Sequence, residues 1–107
     1  MQFEDLKKFI KIEDQRLIER FGYKDEDKRI LARTVKITEE LGELCDEVLS
    51  HSSLQRKEKL DVHDKDNLPG EFADVILTTL LLAETMKVDI EEALEKKIEK
   101  VNKRYEK

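Results

Sequence analysis

The sequence predicts an all-α fold, a four-helix bundle that associates with further copies of itself. Charged residues make up 44% of the 107 residues and aromatic residues only 6%, with one proline and three glycines. This composition favours helices over sheets, because β-branched and aromatic residues are not gathered into alternating runs. Only 38% of the residues are apolar. A single bundle of this length therefore has a thin core, and we expect self-association.

Charge and cysteine content exclude several classes of protein. The formal net charge is −5 and the isoelectric point about 5.2, which disfavours binding to nucleic acid or to an anionic membrane. The single cysteine, Cys45, cannot form an internal disulfide, so nothing demands an oxidising compartment. No apolar run has the length of a signal peptide or a membrane-spanning helix. We expect one cytoplasmic domain over residues 1–107.

Helical periodicity defines two helices in the first half of the chain. The first is predicted over about Phe3–Phe21, where apolar residues recur every three or four positions and Gly22 suits the exit. The second is predicted over about Asp27–His51. Its apolar face consists of Ile30, Val35, Ile37, Leu41, Leu44, Cys45 and Val48. Residues 52–66 are polar and lack periodicity, so they are predicted to form the one long loop.

Two further helices are predicted after this loop. The third begins near Asn67 or Leu68, with Pro69 in its first turn, and ends near Lys87. The fourth begins at Asp89, which can cap it while the residue three positions later completes a capping box. That residue is Glu92, and the apolar face of the fourth helix is Ile90, Leu94, Ile98, Val101 and Tyr105.

The third helix carries two carboxylates in otherwise apolar surroundings. Glu71, Asp74 and Thr78 share one side of the helix, and apolar residues fill nearly all the rest. An ionised carboxylate buried there is costly unless it is paired or ligates a metal. An alternative is that both acids lie in the first turn, where the helix dipole favours them.

The second helix carries acids that can face those of the third. Its stripe consists of Lys36, Glu40, Glu43 and Glu47. If the two helices form an antiparallel hairpin, Glu40 and Glu43 can approach Glu71 and Asp74. Two carboxylates 4 Å apart repel by about 4 kcal/mol at an effective dielectric constant of 20. Protonation or a divalent cation must relieve this repulsion, and oxygen-only ligands indicate Mg²⁺, with Mn²⁺ as the alternative.

The histidines do not fit a di-iron site. Such a site is expected to include E-x-x-H motifs. Neither His51 nor His63 has this spacing. We interpret His51 as a favourable charge at a helix end and His63 as a solvated loop residue.

Two segments, "KITEELGEL" and "GEFADVILTTLLLAETMKVDIEEALEKKIEKVNKRY", resemble the MazG-like members of the all-α NTP pyrophosphatase superfamily. The family pattern E-E-x-x-E followed by E-x-x-D matches Glu39, Glu40, Glu43, Glu71 and Asp74 over about residues 30–105. The resemblance implies hydrolysis of a nucleoside triphosphate to the monophosphate and pyrophosphate. It also implies a homodimer or homotetramer whose subunits complete each other's sites.

The resemblance assigns roles to individual residues. It implies that Mg²⁺ is held by Glu40, Glu43, Glu71 and Asp74. Glu39 would help to hold a second ion or orient the attacking water. Candidate contacts with the substrate phosphates are Lys36, Lys97, Lys100, Asn102 and Arg104. The alternative for the lysines is an ordinary solvated role on charged helices.

Base recognition and the exact substrate are left open by the sequence. Thr78 stands where some relatives carry an aromatic residue, and the chain has no tryptophan. The aromatic candidates for stacking on a base are Phe9, Phe21, Tyr23 and Phe72. The alternatives to nucleoside triphosphate hydrolysis are phosphoribosyl-ATP pyrophosphohydrolase activity and a non-catalytic helical module for metal binding or dimerisation.

Overall fold

The computed structural model describes residues 1–22, 24–52 and 67–107, and these form helices and no strand. The helices are α1 (Phe3–Phe21), α2 (Glu26–His51), α3 (Leu68–Thr85) and α4 (Ile90–Lys103). The predicted all-α fold of four helices is therefore confirmed. None of the helices in these ranges is both long and apolar enough to cross a lipid bilayer. The predictions for Tyr23, His63 and the loop beyond Ser52 lie outside the described residues.

Local sequence signals set most of the helix ends. Asp25 caps α2 by accepting a hydrogen bond of 2.9 Å from the backbone N–H of Asp27. Asp89 caps α4 as predicted, since its carboxylate accepts from the N–H of Glu92 at 3.1 Å. The carboxylate of Glu92, predicted to complete a capping box, instead pairs with Lys96 at 2.8 Å. Gly22 ends α1 in the left-handed conformation, with φ of 69°. The third helix ends at Thr85, two residues before the predicted Lys87.

The α2–α3 hairpin is antiparallel, which is the arrangement under which the acids of the two helices can approach one another. Near the start of α2, Arg33 donates to the carbonyl oxygen of Leu81, close to the end of α3, at 3.3 Å. Near the end of α2, Glu43 lies beside Glu71 in the first turns of α3. The acidic residues of both helices are thereby collected at one end of the hairpin.

The Arg33 guanidinium ties three helices together at the opposite end of the hairpin. It is 9% exposed. It forms an ion pair with Asp14 of α1 and donates a hydrogen bond to the hydroxyl of Thr85 on α3. A buried guanidinium with a carboxylate and two further acceptors is well compensated, so this end of the hairpin holds its shape without a ligand.

The core of the protomer is small. Among the described residues the buried apolar side chains are Ile10, Leu80 and Leu81, where α1 packs on α3. Helix α4 joins this core through Ile90, and its neighbour Glu91 pairs with Lys7 at 3.4 Å. The radius of gyration is 17.0 Å, whereas a compact chain of this length is expected near 13 Å.

Much of the predicted apolar surface is left uncovered in the protomer. Ile98 on α4 is 58% exposed, and Tyr105, which was predicted on the apolar face of this helix but lies two residues beyond its end, is 82% exposed. On α2, Val35 is exposed, and so is Cys45, which the sequence placed on the apolar face. The apolar stripe of α2 is wider than the surface that α3 covers, so Cys45 does not belong to the core of the single chain, although its place on the apolar face predicts a small core residue.

Candidate metal centre

Three carboxylates meet at the acidic end of the hairpin. Glu40 and Glu43 are one helical turn apart on α2, and Glu71 lies in the first turns of α3. One oxygen of each lies within 4.8 Å of the oxygens of the other two. We call these three residues the acidic triad. The antiparallel register creates the triad, because residues 40 and 71 are far apart in the sequence.

The acidic triad contains buried oxygen atoms without a hydrogen-bond partner in the described structure. Glu40 is only 7% exposed, and its Oε1 lies 3.2 Å from Nζ of Lys36. Oε2 of Glu40 and Oε2 of Glu71 are shielded from solvent and accept no hydrogen bond there. Such oxygens are costly in the charged state. A hard divalent cation would satisfy them, and the all-oxygen donor set suits one.

Two members of the acidic triad, Glu43 and Glu71, have raised pKa values. Burial raises the pKa of Glu71, and the charges of Asp74, Glu40 and Glu47 raise it further. The neighbouring Glu40 carboxylate is the main cause of the raised pKa of Glu43, with burial next. The triad therefore attracts protons or cations.

Lys36 supplies one positive charge at the edge of the acidic triad. Its Nζ lies 3.4 Å from Glu39 and 3.2 Å from Glu40. The hydrogen bond to Glu40 is the main cause of its raised pKa, so it remains an ammonium group. One exposed lysine does not neutralise three clustered carboxylates.

The other two acids of the predicted motif flank the acidic triad. Asp74 is exposed on α3, one turn after Glu71, and acts on the Glu71 charge from outside the 4.8 Å group. Glu39 is exposed on α2 and pairs with Lys36. Their predicted roles as metal ligand and water-orienting residue stay predictions.

A cavity of about 420 Å³ opens between α1, α2 and α3. Its lining is mainly apolar and includes the exposed ring of Phe21 together with Thr78. Lys36 lines this cavity and also contacts the acidic triad, so the two features adjoin. The volume falls in the range of small-molecule sites. Of the other aromatic candidates, Phe9 and Phe72 are exposed elsewhere on the surface.

The predicted substrate contacts on α4 and just beyond its end are separate from the acidic triad within the single chain. The residues concerned, all exposed, are Lys97, Lys100, Asn102 and Arg104. In the described part of the chain, none of them forms an ion pair with the carboxylates of the triad. Helix α4 meets the remainder of the protomer near Ile90, at the other end of α3. These four residues therefore stay predictions as substrate contacts.

Two features of the α2–α3 hairpin, one at each end, were not assigned from the sequence. Glu47 lies on the predicted stripe but received no role, although its charge acts on Glu71. The link between Arg33 and Asp14 was missed entirely, because the residues lie on different helices whose packing is not encoded in either periodicity. The position of Arg33 on the buried side of α2 was the available sequence signal.

Comparison with known proteins agrees with this arrangement of helices and acids. The family model of the MazG nucleotide pyrophosphohydrolase domain matches residues 28–107. The chain is also similar to the uncharacterized protein YpjD of Bacillus subtilis (strain 168), with 35% identity over 74 residues. That match covers 69% of this chain and 65% of the relative, just under two thirds of its length. No solved structure matches the chain.

The described residues form an all-helical protein, and its acidic triad offers carboxylate oxygens that suit a divalent cation. The family match is more specific, because it extends over most of the chain and includes every acid of the triad. The chain belongs to the MazG nucleotide pyrophosphohydrolase family. The predicted family resemblance is thereby confirmed.

Proposed function

We propose that this chain hydrolyses a nucleoside or deoxynucleoside triphosphate to the monophosphate and pyrophosphate, with Mg²⁺ bound at the acidic triad. The observation that carries the proposal is the pair of solvent-shielded carboxylate oxygens of Glu40 and Glu71, which lie beside Glu43 without a hydrogen-bond donor in the described structure. Removal of non-canonical or surplus nucleotides in the cytoplasm is the role we propose.

The cation would be held by the acidic triad together with Asp74. When bound, Mg²⁺ would neutralise triphosphate charge and stabilise the pyrophosphate leaving group. Mn²⁺ has the same preference for oxygen ligands and could replace it. The shielded oxygens of Glu40 and Glu71 support this assignment, since a cation compensates them without a proton.

The remaining residues orient the reactants. Water attacks the α-phosphorus and releases a proton to the solvent, the bond from that phosphorus to the bridging oxygen breaks, and pyrophosphate leaves. Glu39 accepts a hydrogen bond from this water and directs its lone pair towards phosphorus. Lys36, between the acidic triad and the cavity, donates to phosphate oxygens.

The cavity beside Lys36 is the proposed nucleoside site. Its mainly apolar lining suits a base and sugar, and Phe21 offers a ring on which a base can stack. Arg29 and Glu13 also line it and supply polar groups that can read the base edge.

A second copy of the chain would complete the site. The exposed apolar side chains of α4 and α2 support self-association, and we propose a homodimer or homotetramer. In it, α4 of the second copy and the residue that follows this helix supply the phosphate contacts Lys97, Lys100, Asn102 and Arg104. Light scattering after gel filtration tests this proposal, with Ile98→Glu as the variant. We expect an oligomer for the wild type and a monomer for the variant; a monomeric wild type would contradict the proposal.

Product analysis tests the reaction. Purified protein with Mg²⁺ is given a panel of ribo- and deoxynucleoside triphosphates, with Asp74→Asn as the control, and products are separated by chromatography. We expect monophosphate and pyrophosphate, lost in the control. Diphosphate and orthophosphate would contradict the proposed attack at the α-phosphorus. No turnover of any triphosphate would overturn the proposal and make phosphoribosyl-ATP the next substrate to assay.

A further inference from the structure

The carboxylates of α2 extend one turn beyond the acidic triad. Glu40, Glu43 and Glu47 follow one another at intervals of three and four residues, so they form a row about 10 Å long on the helix. Glu47 is half-buried, and its Oε2 is shielded from solvent. It therefore belongs to the same partly buried surface as the triad.

Glu47 lies one helical turn after Glu43, on the same side of α2 as Glu40 and Glu43, and this is the side that meets Glu71 of α3. Its carboxylate is outside the group whose oxygens are all within 4.8 Å of one another. Glu47 therefore borders the acidic triad without belonging to it.

The triad itself gives independent reason to expect a ligand. Glu40 is more than nine-tenths buried, and its Oε2 has no hydrogen-bond partner in the described structure. Oε2 of Glu71 is likewise shielded from solvent and has no hydrogen-bond partner there. Glu47, one helical turn after Glu43, borders the position at which a cation would satisfy these two oxygens.

We propose that Glu47 is a fifth carboxylate of the cation site, which acts by holding water bound to the cation and by adding its negative charge. This inference rests on the proposed function, which requires a divalent cation at the acidic triad. Mg²⁺ in proteins keeps several of its waters, and these need acceptors. Glu47 is a positioning residue under this proposal, because it contacts neither the nucleotide nor the reacting phosphorus.

The test measures cation binding without any nucleotide. Free Mn²⁺ is counted by electron paramagnetic resonance during a titration, and Mg²⁺ is titrated in competition. We expect Glu47→Gln to weaken Mn²⁺ binding about tenfold, the size of effect typical of residues that support metal ligands from outside. Asp46→Asn is the matched control, because it removes the same charge one residue away and about 100° around the helix. We expect it to change the affinity by less than about twofold.

A third variant separates failure of this inference from failure of the proposed function. Glu40→Gln removes a member of the triad, and we expect it to abolish specific Mn²⁺ binding. If Glu40→Gln abolishes binding and Glu47→Gln binds like wild type, the role of Glu47 is overturned and the proposed site survives. If neither variant alters binding, the triad does not hold the cation, and both proposals fail.

Two further measurements exclude a merely structural role of Glu47. Melting of Glu47→Gln in the presence of a chelator should match that of the wild type, because the amide keeps the shape of the side chain. Glu47→Asp, which keeps the charge, should recover most of the lost affinity. Equal loss of affinity in Glu47→Asp and Glu47→Gln, accompanied by a lower melting temperature, would overturn the proposal in favour of packing.

Discussion

The two ends of the α2–α3 hairpin bury charge in opposite ways. At one end the Arg33 guanidinium is matched by Asp14, Thr85 and the carbonyl oxygen of Leu81. At the other end the carboxylates of Glu40 and Glu71 face like charge, and each has a shielded oxygen without a hydrogen-bond partner in the described structure.

The difference indicates which end serves the fold and which end serves a ligand. A buried ion whose charge is matched by hydrogen-bond and ion-pair partners needs no ligand. Removing one partner leaves the other charge buried without compensation, which destabilises the fold. Clustered like charges raise the free energy of the folded protein until something binds them. The arginine end therefore stabilises the hairpin. At the acidic end, repulsion between carboxylates destabilises the folded protein, and a bound cation relieves that repulsion.

The largest expected effect is on catalysis at the acidic end. Glu40→Gln should reduce triphosphate hydrolysis about a thousandfold, equivalent to about 4 kcal/mol of transition-state stabilisation. The same variant should raise the free energy of unfolding of the metal-free protein by about 1 kcal/mol, because it relieves repulsion with Glu43 and Glu71. Turnover assays and urea unfolding check the two effects. Loss of stability together with activity would place Glu40 in the fold instead of the site.

The next effect concerns the arginine end. Arg33→Met should lower the free energy of unfolding by about 3 kcal/mol, since it leaves the Asp14 carboxylate with little solvent and no guanidinium. Urea unfolding at fixed protein concentration measures this. The double variant Arg33→Met with Asp14→Leu should recover much of the loss. A loss below about 1 kcal/mol in Arg33→Met would show that the network contributes little.

The pH dependence of stability should distinguish the two ends further. The folded protein raises the pKa of Glu71 and Glu43 above the ordinary 4.5, so it binds their protons more tightly than the unfolded chain does. Their contribution to stability is therefore most favourable at low pH and declines as pH rises from about 4.5 through the raised folded values.

The difference in unfolding free energy between wild type and Glu71→Gln, followed against pH without metal, measures this contribution. We expect the wild type to lose stability relative to the variant as pH rises through that window. Saturating Mg²⁺ should remove the decline, because the cation compensates the ionised form. A difference that stays constant with pH would contradict the raised pKa of Glu71.

The smallest expected effect belongs to Lys36, at the border of the acidic triad and the cavity. Lys36→Gln should raise the KM for a triphosphate about fivefold, which corresponds to about 1 kcal/mol for an exposed charged contact. Lys36→Arg should stay close to wild type, since it keeps the charge. Steady-state kinetics give the comparison. A changed kcat with an unchanged KM would contradict a role in binding phosphate.

Secondary structure and the candidate ligands could be predicted because both depend on short-range pattern. The three-and-four spacing of apolar residues gave α1 at its observed bounds, and the cap at Asp89 gave the start of α4. The third helix was predicted two residues too long. Lys87 adopts the left-handed conformation, with φ of 57°. Residues other than glycine seldom do so, and no local sequence pattern predicts it here.

Nothing in the local pattern distinguished the individual carboxylates from one another. Glu71 and Asp74 are one turn apart on the same side of α3, yet only Glu71 lies in the compact group with Glu40 and Glu43. Their side chains differ by about 60° around the helix, so the rotation of α3 about its axis decides which of them faces Glu40 and Glu43. Packing of α1 and α2 against α3 fixes that rotation, through contacts such as Ile10 with Leu80 and Arg33 with Leu81.

The sequence by itself determined four helices, their approximate ends and a family motif of acids, because hydrogen bonding and amphipathic periodicity act over a few residues. Tertiary structure alone decided that Glu40, Glu43 and Glu71 share one space, that Arg33 neutralises the far end, and that the apolar faces of α2 and α4 lie partly open. These features depend on the register and rotation of packed helices, which are set by side-chain contacts between residues distant in the sequence.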